Sequence, residues 1–429
     1  MSTANAGKLA LVVGGGPAPG INGVISAVTI EAIEQGMEVI GFLDGFKWLV
    51  EGNLDHHIKL TIDHVKQIGL RGGSYLRTSR TNPTKSTEMM NNVLDAFQRM
   101  GITRLVTIGG DDTAYSGSQV CKHAAGRIRV AHVPKTIDND LPLPGSTPTF
   151  GFETARQVGV GVVRNLAEDA RTTGRWYIII SMGRAAGHLA LGIGKASAAT
   201  LTIIAEEFAG REVTLDEVCD IILGSIILRR ARGSNYGVAV LAEGLLEAIG
   251  EKGLQSIIAS GQIGRYGEVT RDPHGHIRLG EIEFGRMIKD RLDQKLQELG
   301  LSVTMIDKDL GYELRCADPI PFDAEYTRDL GYGAVQFLLS PESEKYGAII
   351  SIVGGALEPL PFEKMLDPKT KRMSTRHVNV SGVGYQCARR YMLRLKKRDF
   401  EETSRLASLA QSVKMTPEQF KQRFGYLAH

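Results

Sequence analysis

Six short apolar runs recur along the 429-residue chain and each meets glycine at its end: KLALVVGGG (8–16), MEVIGFLDG (37–45), RLVTIGGDD (104–112), WYIIISMGR (176–184), YGVAVLAEG (236–244) and YGAIISIVGG (346–355). Unbroken apolar runs of this length bounded by turn residues predict strands buried on both faces. Between several of them lie stretches with helical spacing, such as Asn22–Gln35 and Ser86–Met100. Strands alternating with helices predict parallel sheets covered on both sides. Ligands of such sheets sit beyond the carboxyl ends of the strands, where the glycine turns fall. The pattern breaks at LPLPGSTPTFG (141–151), which marks a boundary near Pro142–Pro148. The C-terminal 70 or so residues read as helical and more charged, and no internal repeat or low-complexity segment is present.

Composition narrows the class. The apolar fraction of 42% and charged fraction of 23% are those of a soluble globular protein, long enough for two or three domains. Lys and Arg number 51 against 48 Asp and Glu, a net +3, so no strong field draws the chain to nucleic acid or membrane. Cys121, Cys219, Cys316 and Cys387 are scattered without a CxxC pair, which argues against a disulfide framework or a structural zinc site. No run approaches the ~18–20 apolar residues of a membrane span, and MSTANAGKLALVVGGG is too short in its apolar part for a signal peptide. A cytoplasmic protein is expected. The basic stretch ARRYMLRLKKR (388–398) has apolar residues at helical spacing and reads as a solvated amphipathic helix rather than a nucleic-acid patch.

Several turns carry chemistry. VVGGGPAPGIN (12–22) fails the dinucleotide spacing at Pro19 and fails as a Walker A loop at Ile21 and Asn22. It reads either as a turn whose backbone N–H groups and following helix hold an anion, or as an ordinary strand-to-helix turn. TIGGDDTAYSGS (107–118) sets Asp111 and Asp112 at a glycine turn, where two carboxylates would repel a bare phosphate. In PKTIDND (134–140), an extended backbone would point Thr136, Asp138 and Asp140 to one side, ready to take a proton from an alcohol. The alternative is plain turn chemistry, which leaves Lys135 unexplained. Arg184 stands at the mouth of a strand, and RGGSYLRTSR (71–80) supplies Arg71, Arg77 and Arg80. Such arginines at strand ends, in a chain of near-zero net charge, point to anionic ligands. His132 and His188 have no partners at metal spacing.

Taken in order, GGGPAPGIN (14–22), GGSYLRTSR (72–80), GGDDT (109–113), PKTIDND (134–140), MGR (182–184), AEG (242–244) and GYELR (311–315) resemble the phosphofructokinase family over about residues 8–340. The resemblance implies an α/β fold of two Rossmann-like domains with parallel-rich sheets and the active site in the cleft between them. It implies a larger phosphoryl-donor domain of residues 1–150 plus 314–370. A smaller sugar-phosphate domain would take 151–313 plus 371–429, including the helical extension. It further implies phosphoryl transfer to O1 of fructose 6-phosphate with Mg²⁺. Asp138 would be the base and Asp111 the magnesium carboxylate. Arg80 would steady the transferring group, Thr136 and Asp140 would flank the reacting end, and Gly16 would be among the substrate-binding residues. Met182, Gly183, Arg184 and Glu243 would line the sugar site. Tyr312 and Arg315 would meet the sugar phosphate together with Arg175, which in this family reaches in from a neighbouring subunit of a homodimer or homotetramer.

Family members that use ATP typically carry glycine where Asp112 and Lys135 stand here. The Asp/Lys pair resembles the pyrophosphate-dependent branch: Asp112 would repel an α-phosphate and Lys135 would hold a shorter donor. Expected partners are thus pyrophosphate and fructose 6-phosphate, with no nucleic acid or membrane. Three departures stand out. Pro17 replaces an acidic residue; Ser26 and Ile30 replace the effector arginines of bacterial ATP-dependent members; Ile306 stands where a substrate-binding arginine is expected, with Lys308 nearby. The competing readings are an ATP-dependent kinase of another acceptor, an ATP-dependent phosphofructokinase, a pyrophosphate-dependent kinase of sedoheptulose 7-phosphate and a non-catalytic sugar-phosphate or nucleotide sensor on the same fold.

Overall fold

The computed structural model describes residues 7–184, 186–267, 282–369 and 373–428. Its strands, in chain order, are β1 (Lys8–Val13), β2 (Glu38–Phe42), β3 (His57–Leu60), β4 (Ile102–Gly109), β5 (Arg129–Pro134), β6 (Arg175–Ser181), β7 (Leu201–Ile203), β8 (Gly237–Ala242), β9 (Thr304–Leu310), β10 (Ala348–Ile349), β11 (Ile352–Val353), β12 (Ala356–Leu357) and β13 (Leu360–Pro361). The chain divides into two compact units, Met1–Arg156 with Tyr312–Arg376 and Gln157–Gly311 with His377–His429. Both are α/β. Among the described residues no helix is long and apolar enough to cross a membrane.

The first unit is built on a sheet of order β13-β10-β5-β4-β1-β2-β3, in which β10, β5, β4, β1 and β2 run parallel and the two edge strands antiparallel. Alternation sends successive β1 side chains to opposite faces. Leu9, Leu11 and Val13 join a core under the helices Ile21–Glu34 and Pro321–Leu339, while Ala10 and Val12 join a second core with Phe42 and Phe97. Both faces are covered, which is why the run is apolar at every position from Leu9 to Val13. Asp323, fully buried, accepts the Gly151 and Thr154 N–H groups at 2.8 Å each and so fixes the start of the helix Phe152–Thr173.

YGAIISIVGG does not form one strand. Its first half is β10, paired with β5, whereas its second half is β11, which turns away and pairs antiparallel with β12. Buried Ser351 sits at the break and donates its hydroxyl to the Glu358 carbonyl at 2.5 Å.

The second unit carries an all-parallel sheet of order β7-β8-β6-β9. Its core takes in Met392, Leu395, Phe400, Leu409, Phe420 and Phe424 from the C-terminal segment. Phe420 and Phe424 are fully buried, and deleting a ring so placed costs about 3–5 kcal/mol. The extension is therefore part of the fold. The expected amphipathic helix over 388–398 is not formed: the helix Val383–Tyr391 ends and the chain extends before the helix Lys397–Glu401. Two long-range ties override the helical spacing there. The Leu393 N–H donates to the Thr200 carbonyl at 2.9 Å, and Arg394, expected in solvent, is buried against Glu207 at 2.6 Å.

Candidate active site

In the first unit β5, β4 and β1 lie side by side, and their carboxyl ends carry Lys135–Asp140, Gly110–Asp112 and Gly14–Gly16. The chain leaves β1 towards β2 on one side and returns as β4 on the other, so this is a topological switch point. The glycine loop does not act there as an anion nest of its leading amides. The Gly14 N–H is taken by the Ile108 carbonyl and the Gly15 N–H by the Ser79 carbonyl, both at 2.9 Å. What the glycines provide is room for two cations. Gly15 has φ +81°, a left-handed backbone that disfavours a side chain, and a Cβ there would lie 3.3 Å from the Lys135 ammonium. A Cβ on Gly16 would lie 2.1 Å from the Arg315 guanidinium, so a side chain there would push that guanidinium out of its place.

Lys135 is buried and donates from Nζ to the Gly16 carbonyl. Burial pulls its ammonium down from 10.5 to about 8; Asp138 works against that shift, Arg315 with it, and Asp140 and Asp111 against it. Its N–H donates to the Gly109 carbonyl at 2.7 Å. The same carbonyl meets Nε2 of fully buried His132 at 3.0 Å, whose Nδ1 is 2.9 Å from the Thr107 hydroxyl. Burial pushes His132 to about 3, so it stays neutral; the network assigns the proton to Nε2, which donates to Gly109. His132 is thus a core residue that holds the GGDD turn under Lys135.

The segment after Lys135 is not extended, and the alternation expected of Thr136, Asp138 and Asp140 does not apply. The Asp138 N–H donates back to the Thr136 hydroxyl at 3.0 Å, and Asn139 adopts φ +55°. The carboxylates are nonetheless gathered, because Asp138, Asp140 and Asp111 all act on Lys135. Burial, with the charge of Asp111, holds the Asp140 carboxyl above its ordinary range. The turn is clamped by a residue that the motifs did not single out. Arg376 donates to the Asn139 carbonyl at 3.0 and 3.1 Å and to the Thr147 carbonyl at 3.0 Å, and its own N–H donates to the Asp140 carbonyl at 2.6 Å. Nothing in the local sequence STRHVN signals this role.

Asp111 and Asp112 occupy the first turn of the helix Asp111–Ala124, both exposed, with Gly110 as an N-cap that offers no side chain. The positive end of the helix favours carboxylates in that turn. Arg80 is exposed and follows Ser79, the residue bonded to Gly15, while the Thr78 hydroxyl donates to the Gly15 carbonyl at 2.6 Å. Arg77 is drawn away, 3.5 Å from Asp44, and Arg71 is exposed. Arg315 lies over the ring of Tyr312 at 5.4 Å, and Tyr312 is 80% exposed. Among the described residues no group of three His, Cys, Asp or Glu forms a metal cage.

In the second unit the ends of adjacent β6 and β8 come together. Gly183, at φ +132°, donates its N–H to Glu243 Oε2 at 3.3 Å, and the Glu243 N–H returns to the Ser181 carbonyl at 3.0 Å. Met182 is fixed by its N–H to the Leu310 carbonyl at 3.0 Å. Burial raises the Glu243 carboxyl, opposed by the Gly183 amide and by Arg184, which is itself exposed. Arg175 is not brought to this group within the chain. It begins β6, at the opposite end of the strand, 3.8 Å from Asp169. Ile306 and Lys308 lie inside β9, beside Tyr177 and Ile179 of β6.

Residues 8–338 match the family model described as phosphofructokinase. The chain belongs to the phosphofructokinase family. It is 52% identical over 98% of both chains to the pyrophosphate–fructose 6-phosphate 1-phosphotransferase of Thermotoga maritima. It is 49% identical to the enzyme of that name from Naegleria fowleri, over 99% of this chain and 96% of the other. Among solved structures, the pyrophosphate-dependent phosphofructokinase of Nitrosospira multiformis superposes with a TM-score of 0.63 at 15% identity, covering 88% of this phosphofructokinase and 86% of that one. That likeness concerns the fold. The two acidic residues after the glycines of the GGDD turn, and the lysine of PKTIDND, thus stand in a phosphofructokinase.

Proposed function

We propose that this phosphofructokinase transfers a phosphoryl group from pyrophosphate to O1 of fructose 6-phosphate, giving fructose 1,6-bisphosphate and phosphate. The observation that carries this reading is Lys135, buried among Asp111, Asp138, Asp140 and Arg315 with a second carboxylate, Asp112, on the adjoining helix turn. The identity of 52% to a relative named for that reaction supports it.

In the reaction the bond between phosphorus and the bridging oxygen of pyrophosphate breaks while a bond from phosphorus to sugar O1 forms. Asp138 accepts the proton of the sugar 1-hydroxyl, and the departing phosphate keeps the electron pair. Such a transfer asks chiefly for placement and charge neutralisation. Lys135, charged at neutral pH, holds donor oxygens; Asp112 disfavours the extra phosphate of a nucleotide. Arg80 steadies the transferring group, and Thr136 and Asp140 orient the reacting end. Arg315, expected at the sugar phosphate with Tyr312, lies against Gly16 beside Lys135, which supports a role at the donor end as well. Met182, Gly183, Arg184 and Glu243 bind the sugar. Because Asp138 returns the proton in the reverse direction, the same groups serve both directions.

Magnesium is commonly held by one or two carboxylates and substrate oxygens rather than by a cage of protein ligands. Asp111 and Asp140 fit that pattern, since Asp111 already raises the Asp140 carboxyl and a divalent cation would relieve their repulsion. Bound there, it would neutralise donor phosphate charge. The distance of Arg175 from Met182 along β6 supports its service to a neighbouring subunit, in at least a dimer; a strictly monomeric active enzyme would refute that part.

Initial rates with Mg²⁺ and fructose 6-phosphate, comparing pyrophosphate with ATP, test the donor. Turnover with pyrophosphate and none with ATP is expected. Turnover with ATP alone would overturn the roles of Asp112 and Lys135 and leave Asp138 untouched.

A further inference from the structure

A cavity of about 450 Å³ lies wholly in the second unit and contains none of the residues assigned above. Its charged lining is Glu207, Arg211, Glu217, Arg389 and Arg394. Pairing inside this set leaves one cation over. Arg394, 5% exposed, grips Glu207 through two N–H groups at 2.6 and 2.9 Å. Arg211 does the same to Glu217 at 2.5 and 2.9 Å. Arg389 forms no salt bridge with any described residue; acting on it are the Arg394 guanidinium, the Glu207 carboxylate that Arg394 already holds, and the Tyr385 phenol. Burial together with Arg394 lowers the Arg389 pKa, and Arg398, Arg390 and Arg389 add to the burial that lowers Lys396. A guanidinium does not shed its proton in response. It recruits an anion instead, and a half-buried one whose nearest carboxylate, Glu207, is already paired with Arg394 is poised for that.

The rest of the lining suits a ligand with a body. Phe208, Leu395 and Leu427 give an apolar wall, and the volume exceeds what bare phosphate fills while falling in the range of small-molecule sites. Arg389, Leu395 and Leu427 come from the C-terminal segment, beyond the residues that the family model matches. The site is thus built by a part of this chain that the catalytic motifs do not include.

We propose that this cavity binds a small organic phosphate, its anionic group on Arg389 and its apolar body on the wall of Phe208, Leu395 and Leu427. Phenyl phosphate is the probe, titrated calorimetrically into the full chain carrying Lys135→Met, so that the donor residues do not dominate the signal. Saturable binding is expected, weaker for inorganic phosphate. Arg389→Gln in that background should weaken phenyl phosphate about tenfold or more, the scale of a lost charge-assisted contact, and Arg389→Lys should recover part of it. Gln386→Glu, an exposed change on the same lining, should weaken it too, which keeps the test open if Arg389→Gln fails to fold. Both single changes, made in the otherwise unchanged enzyme, should leave basal turnover as it was. Affinity unchanged from the Lys135→Met background in both Arg389→Gln and Gln386→Glu, or no binding at millimolar probe, would overturn the proposal. So would a change of oligomeric state on Arg389→Gln, which would make the cavity an interface with a second copy.

Discussion

The strand ends of the first unit gather charge around a buried cation, Lys135, with Asp111, Asp112 and Arg80 exposed about it, whereas those of the second set exposed Arg184 beside Glu243 with, among the described residues, no buried cation of that kind. Lys135 is 5% exposed and bonded to the Gly16 carbonyl, with its turn clamped by Arg376. Arg184 stands in solvent, and its carboxylate neighbour Glu243 is fixed by one long amide bond of 3.3 Å. Preorganised charge acts most strongly on a developing transition state in a dry site, where no reorganisation is needed. An exposed cation suits recognition of a hydroxylated, charged substrate that is then released. Under the proposed function, the difference would suit the first unit to the chemical step and the second to holding the acceptor.

Substitutions on the two sides should therefore divide between kcat and KM. The largest effect is expected from Asp138→Ala, with kcat down by about 10³–10⁴ and the sugar KM little changed, as for loss of a general base. Near-normal turnover in steady-state assays would refute Asp138 as the base. Asp112→Gly with Lys135→Gly should lower kcat/KM for pyrophosphate by about 10²-fold, the scale of two lost charge-assisted contacts, with the sugar KM held. Arg376→Ala should lower kcat about tenfold through displacement of the 138–140 turn, and Arg376→Lys should restore part of it. An unchanged kcat with a raised sugar KM would move Arg376 to the acceptor side and blur the comparison. On that side, Glu243→Gln should raise the sugar KM severalfold while kcat holds.

The smallest effect concerns pH. Lys135, lowered by burial to about 8, loses its charge as pH rises through that value, so kcat/KM for pyrophosphate should fall on the alkaline side. Lys135→Arg should move that limb upward. Stability should respond in the opposite sense. Between about 8 and 10.5 the unfolded chain keeps a proton that the folded chain has released, so this group adds stability as pH climbs through that window. Melting curves of the wild type and Lys135→Met over this range would test the sign.

Much of this was legible in the residues. The runs KLALVV, EVIGF, WYIIIS and GVAVLA are strands because a chain apolar at every position needs cover on both faces. Parallel sheets were expected from these runs, but the strand order that puts MGR beside AEG and the glycine loop beside GGDD comes from the fold. The sequence alone determined β1, β2, β4, β6 and β8, the helices from Ile21 and from Thr87, and which residue types stand at the carboxyl ends of those strands. Tertiary structure decided what those residues touch. The glycine loop reads as a cradle for an anion, yet its amides pair with Ile108 and Ser79 and its missing side chains admit Lys135 and Arg315. The basic stretch near residue 394 has helical spacing, yet Glu207, far back in the chain, pulls Arg394 inside. Arg376 reaches Asn139 across a separation of 237 residues. Periodicity reports local backbone and burial, both set by near neighbours; the partner of a buried charge is chosen by whichever distant group can repay its desolvation, and only the folded chain brings that group within reach.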